Sequence, residues 1–226
     1  MSVQLKRPAA APLLALSPRE QLRAPRLPRR MTQLMIGLSL YGFSMAMLVR
    51  STLGLDPWDV FHEGLTKRTG ASFGTVILVV GLAVLLLWVP LRQWPGFGTI
   101  ANVFVIAFAT DVGLAVIAVP DALAAKVALL VGGVVLNGVA GGLYIGSQLG
   151  PGPRDGLMTG LVRRTGWSIR ATRTGIEILV LASGFLLGGT LGLGTVLYAL
   201  TIGPLVQFFL RVFTVELRPA DASPQP

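Results

Sequence analysis

The chain is 226 residues long, 53% hydrophobic and only 13% charged, with 28 Gly and a formal net charge of +9. A soluble domain carries about 25% charged residues, so this composition excludes a disordered chain and an ordinary cytosolic enzyme. With no Cys and a single His, His62, the sequence also excludes disulfides, thiolate metal sites and Cys nucleophiles, and it supplies too few ligands for zinc. No cofactor and no metal are expected.

Residues 1–30 hold seven of the 19 basic residues together with Pro8, Pro12, Pro18, Pro25 and Pro28. The apolar stretch within them is too short for a signal-peptide core, so this segment reads as a disordered cytosolic tail that touches anionic headgroups. Six apolar runs follow, at about 31–49, 72–91, 98–119, 124–147, 170–190 and 193–214. A bilayer core needs about 20 such residues per helix. The expected fold is therefore an all-α polytopic membrane bundle of six transmembrane helices, with residues 215–226 as a second cytosolic tail. Lys and Arg flank the runs, where they orient a chain in a membrane, so the partner expected from the positive charge is the lipid bilayer and not nucleic acid.

The gaps 50–71 and 148–169 each contain a short helix. In the first, Asp56 is a natural N-cap, Pro57 occupies the first helical position and Asp59 the third. Trp58, Phe61 and Leu65 share one face, and Gly70 ends the helix. Some 12 residues rise only about 18 Å, so the helix lies in the interface or enters the membrane as a re-entrant hairpin. His62 is expected to be solvated on the polar face.

The second gap repeats the first. Leu53-Gly54-Leu55-Asp56-Pro57-Trp58-Asp59 aligns with Leu149-Gly150-Pro151-Gly152-Pro153-Arg154-Asp155 at an offset of 96, and Arg68-Thr69-Gly70 and Gly96-Phe97-Gly98-Thr99 find their counterparts in the same register. A duplicated unit follows, residues 31–119 and 120–214, each with three spans and one short helix. Three is odd, so the second copy enters the membrane from the opposite side, the plan of many secondary transporters. Charge supports this orientation: with both termini inside, 15 basic residues lie inside and four (Arg50, Lys67, Arg68, Lys126) outside.

These motifs, with Gly150-Pro151-Gly152-Pro153-Arg154-Asp155-Gly156-Leu157-Met158, Arg173-Thr174-Gly175-Ile176-Glu177 and Gly203-Pro204, resemble the bacterial YczE/YitT-like integral membrane proteins over roughly residues 35–212. The resemblance implies a multi-spanning protein of the bacterial plasma (inner) membrane and names no substrate. The basic N-terminal segment is outside that pattern.

Asp59, Arg154, Asp155, Arg173 and Glu177 are the candidate solute or ion site. Asp59 and Asp155 are repeat-equivalent acids that either cap their helices or face a shared cavity. Arg154, at a helix N-terminus, would draw an anionic group, or else anchor the loop on the cytosolic side. Arg173 and Glu177 lie one turn apart, able to pair as a lock or as a binding element. The four residues of the second copy are expected to converge on the cytosolic side, with Asp59 at the matching outer position. Asp111, inside an apolar run, is expected to pair with Arg50 or Lys126. Gly138, Gly142, Gly146 and Gly150 form an i, i+4 stripe whose simplest use is packing the two halves together, with a homodimer contact as the second use. No catalytic residues are expected. The sequence reads as a small-solute transporter or solute-binding membrane subunit rather than an enzyme, and as a scaffold for a partner membrane protein in the alternative. Single-Cys labelling of this Cys-free chain checks the topology: a Cys at Ser17 or Ala222 reacts only from the cytosol and one at Thr66 only from outside, and Thr66 and Thr159 accessible from one side would end the inverted arrangement.

Overall fold

The computed structural model describes residues 13, 14 and 16–217. They form nine α-helices and, among the described residues, no strand: α1 (Pro18–Arg23), α2 (Leu27–Ser51), α3 (Pro57–Thr69), α4 (Phe73–Trp88), α5 (Phe97–Val116), α6 (Leu123–Gly146), α7 (Pro153–Thr165), α8 (Ile169–Leu186) and α9 (Leu193–Phe213). Each of α2, α3, α4 and α5 starts 96 residues before its counterpart among α6, α7, α8 and α9. The local chemistry recurs with it. Ser72 and Ser168 cap α4 and α8 through the N–H groups of Thr75 and Ala171, both at 3.1 Å. Gly70 and Gly166 end α3 and α7 at φ +71° and +73°, a conformation that favours glycine. Asp56 caps α3 by accepting from Asp59 N at 2.9 Å.

Four helices, α2, α5, α6 and α9, are long and apolar enough to cross a membrane, and α3 with α4 reaches that standard only as a pair bent by 115°. The runs expected at 72–91 and 170–190 come out shorter. Pro90 has no N–H to continue the helical ladder, and α4 closes after 16 residues, about 24 Å of rise. Arg170, Arg173 and Glu177 take the apolar character from the first half of α8.

Residues 16–30 are ordered, contrary to the expected tail, and residues 1–12 and 218–226 lie outside the described residues. Arg30 is fully buried; its Nε donates to Ser147 O at 2.8 Å, and its two terminal nitrogens donate to Gln21 O at 2.7 Å and Gln148 O at 2.8 Å. Two of these acceptors follow α6, where carbonyls lack intrahelical donors. Gln148 ties in both chain ends, accepting from Leu14 N at 2.8 Å and donating to Val215 O at 2.7 Å. Leu16 and Ala24 pack with Val215 and Leu217, so the expected C-terminal tail begins after a packed segment. A basic, proline-rich composition signals a tail; it does not register that one arginine meets a ring of carbonyls.

The two halves, residues 27–116 and 123–213, meet along α2 and α6, where Gly37 lies against Tyr144 and its counterpart Gly133 against Leu48. The glycine stripe has a different role from the one expected. Gly138, Gly142 and Gly146 lie against Leu205, Phe209 and Phe213 of α9, within the second half, and Gly150 falls in the turn beyond α6, at φ +122°. The stripe's counterpart Gly42 lies likewise against Ala109 of α5. Asp111 also departs from expectation: it accepts from Gly74 N at 2.7 Å and Ser72 Oγ at 2.6 Å at the start of α4, while Arg50 donates to Leu114 O.

The short helices cross over. α3 packs on α8 and α7 on α4, each against the other half. Two backbone bonds close the crossing, Gly98 N to Leu149 O at 2.7 Å and Gly194 N to Leu53 O at 2.8 Å, again equivalent at the offset of 96. Side-chain sizes are exchanged between the two crossings. The backbone at Val60 and Phe61 of α3 meets Gly184 of α8, whereas Gly156 of α7 meets the ring of Trp88 of α4, whose Nε1 donates to Pro153 O at 3.0 Å. Arg30→Met strands at least three carbonyls and is expected to lower stability by about 2 kcal/mol or more, while Arg29→Met, on an exposed residue, leaves the thermal midpoint in detergent unchanged; equal midpoints for the two variants would return this segment to the role of a tail.

Candidate functional site

A cavity of about 340 Å³ lies between the halves and touches all eight helices from α2 to α9. Its walls use the same positions of both halves with different side chains: Tyr41 and Asn137, Trp58 and Arg154, His62 and Met158, Ile77 and Arg173, Gly81 and Glu177, Asn102 and Tyr198. Arg154, Asp155, Arg173 and Glu177, expected to converge, all line it.

Arg154 lies over the ring of its own counterpart, Trp58, at 4.8 Å. Its terminal nitrogens are 3.8 Å from Asp56 Oδ1 and 3.8 Å from Asp59 Oδ1. These are ion pairs beyond hydrogen-bond distance. Asp59 is therefore not at a separate outer vestibule; it is buried behind Arg154, joined to the second half by charge. Its other oxygen, Oδ2, is buried with no hydrogen-bond partner among the described residues. His62 is likewise not solvated. It is 2% exposed, with Nδ1 3.1 Å from Asp59 Oδ1 and its ring edge-on to Phe73. The face Trp58, Phe61, Leu65 read from the sequence extends to His62, which follows Trp58 by one turn.

Asp155 accepts from Tyr144 Oη at 3.0 Å and has no cationic side chain within 4.0 Å among the described residues. Arg173 and Glu177 pair at 2.9 Å with both side chains partly exposed. A polar chain crosses the interior, Tyr198 Oη to Asn137 Oδ1 at 2.9 Å and Asn137 Nδ2 to Ser44 Oγ at 2.8 Å. Sequence reasoning missed the three tyrosines, Tyr41, Tyr144 and Tyr198, because single aromatics inside apolar runs carry no spacing signal. It also missed Asp56 as a counter-ion, since its capping role already accounted for it.

The two sides of the cavity differ in exposure. Asp56, Trp58, Asp59 and His62 of the α3 end are buried, whereas Asp155 and Arg173 of the α7–α8 end are exposed. In the first half α4 packs on α5, with Gly74 against Ala107 and Gly81 against Val103. The counterparts of these two glycines are Arg170 and Glu177, and α8 makes no comparable contact with α9. Gly175 and Gly203 have open space beside them.

Residues 28–211 match the family of unknown function DUF6198. The chain belongs to this family. This DUF6198 protein is 41% identical over 179 residues to an uncharacterized protein of Haemophilus influenzae, which covers 79% of this chain and 82% of that one. It is 31% identical over 184 residues to the uncharacterized membrane protein YczE of Bacillus subtilis, 80% of this chain and 85% of the relative. A further Bacillus subtilis relative, YyaS, is 26% identical over 78% of this chain and 90% of its own. No solved structure matches. The DUF6198 chain is thus a membrane protein of the YczE type, with apolar helices suited to a lipid bilayer.

Removing one partner of a buried ionic cluster costs about 3–5 kcal/mol because the remaining charge stays buried. Arg154→Gln is therefore expected to destabilise by that order in thermal or denaturant unfolding, and Asp59→Asn added to it recovers part of the loss. An Arg154→Gln protein as stable as the parent would remove Arg154 from the cluster.

Proposed function

We propose that the protein is a small-solute transporter of the bacterial plasma membrane. In this reading it is made of two three-span units inserted in opposite senses, with both termini cytosolic. α4 and α8 serve as the short spans, α4 bent by 115° from the helix before it. It carries its solute unchanged and performs no catalytic step.

One observation carries the reading: a cavity lined by equivalent positions of both halves, with buried residues on its α3 side and exposed ones on its α7–α8 side. Units of odd span number, inserted oppositely, place their equivalent ends on opposite sides of the membrane. Exchanging the conformations of the halves then buries the α7–α8 side and exposes the α3–α4 side around the same site. The 15 basic residues counted inside against four outside support the placement of the exposed side toward the cytosol. The wall chemistry is that of a binding site, with a few charged groups and amides set among apolar side chains.

A scaffold is the second reading. It is favoured by an outward-facing apolar groove where α6 meets α9, lined by Val131, Val135, Leu197, Leu200 and Pro204.

Gly203 is an exposed residue of the cavity wall, and a side chain there meets nothing within 4 Å. Gly203→Trp should fold normally and block the passage. Gly175→Trp, also in open space but off the cavity wall, should leave it open. In liposomes screened with a broad solute mixture, the parent and Gly175→Trp proteins are expected to give saturable flux and Gly203→Trp background flux. Flux unaffected by Gly203→Trp, or none from the parent protein, would count against transport through this cavity.

A further inference from the structure

We propose that the occupant of this cavity is a small organic monocation, an amine whose ammonium group rests on Asp155 on the exposed side while its body lies against the tyrosines. The inference deepens the transporter reading and rests on it only in taking the occupant to be the solute carried.

The charges in and behind the cavity do not balance. Glu177 is matched by Arg173 at 2.9 Å. Arg154 is shared between Asp56 and Asp59, each at 3.8 Å. Asp155 is left with a neutral phenol, Tyr144 Oη at 3.0 Å, and Asp59 Oδ2 with no hydrogen-bond partner among the described residues. Four carboxylates therefore face two guanidinium groups. His62, the remaining basic side chain, is committed to Asp59. Buried Asp56 and Asp59 share a single arginine, and Asp155, on the exposed side of the cavity, has no cation of its own, so the site as a whole is short of positive charge.

The same geometry disfavours an anion. Arg154, which the sequence presents as an anion-attracting group, has two carboxylates at its nitrogens and an indole under its face, so an anion would have to displace Asp56 or Asp59. A divalent metal is disfavoured too: among the described residues, no three His, Asp or Glu side chains are grouped to hold one. The walls suit an organic cation, because the ring faces of Tyr41, Tyr144 and Tyr198 attract positive charge. A volume of about 340 Å³ is at the small end of ligand pockets, which fits an amine of modest size and excludes a lipid.

The test uses the full chain in lipid nanodiscs, with benzylamine, its neutral isostere benzyl alcohol and its anionic analogue benzoate at equal concentration, and thermal stabilisation as the readout. Benzylamine is expected to raise the unfolding midpoint and the other two to leave it unchanged. Asp155 is exposed, so Asp155→Asn should keep the ligand-free midpoint and weaken benzylamine by about tenfold or more; Asp155→Glu should retain binding. Stronger stabilisation by benzoate, undiminished binding to Asp155→Asn, or no stabilisation by benzylamine or phenethylamine would each overturn the proposal. The two readings fail separately. Amine binding without flux of any solute in liposomes sinks the transporter and keeps the cation site, whereas flux blocked by Gly203→Trp but unresponsive to amines does the reverse.

Discussion

Two backbone hydrogen bonds, Gly98 N to Leu149 O and Gly194 N to Leu53 O, hold the arrangement on which everything else depends. Buried backbone that leaves helical geometry must find its partners within the protein. The turns that lead into α3 and α7 are such segments. Each obtains a donor from the first turn of a helix in the opposite half, where N–H groups have no intrahelical acceptor. Glycine at both donor positions lets the chains approach closely enough for the bond. The reciprocal bonds then dictate the crossing: α3 must lie on α8 and α7 on α4, so the space between the halves is bounded by both.

On that shared backbone the two halves carry different side chains, and the differences make the site. Equivalent positions present an indole and a guanidinium, Trp58 and Arg154, which stack on one another at 4.8 Å. The arginine that would otherwise be a loop anchor thereby becomes the counter-charge for Asp56 and Asp59 of the other half. Along α4 and α5 small residues permit close packing, while Arg170 and Glu177 stand at the matching positions of α8 and keep it apart from α9. Burial on the α3 side of the cavity and exposure on its α7–α8 side thus follow from a handful of substitutions between copies.

Much of this architecture was legible in the sequence because it is written in local terms. Asp56-Pro57 and Thr69-Gly70 bound α3 through capping, and Ser72 and Ser168 start the next helices by the same chemistry. The register of 96 relates every pair of helices from α2 to α9. What escaped was decided across distance. His62 reads as solvated by composition and is buried because α3 turns inward. Arg30 reads as one more tail cation, yet it meets carbonyls that only the end of α6 and α1 together provide. The glycine stripe gave the right kind of contact with the wrong partner, since small residues reveal that a helix is approached closely and not by which neighbour. Within the candidate site, the convergence of Arg154 with Arg173 and Glu177 followed from helical spacing; the closeness of Asp59 to Arg154 required the crossing.

The exchanged sizes at the two crossings have a consequence for how the protein is made. Trp88 fits against Gly156 and the backbone at Val60 against Gly184, so a first half cannot pair with another first half: its own Trp88 would meet Val60 where it needs a glycine. Synthesis delivers residues 27–116 before 123–213, and during that interval Asp56 and Asp59 have no arginine and α3 has no partner surface. The nascent first half is therefore barred from settling with a neighbouring nascent copy and must wait for the remainder of its own chain. Fusion of the two units into one polypeptide turns that wait into a short one, because the missing partner is always tethered to the half that needs it.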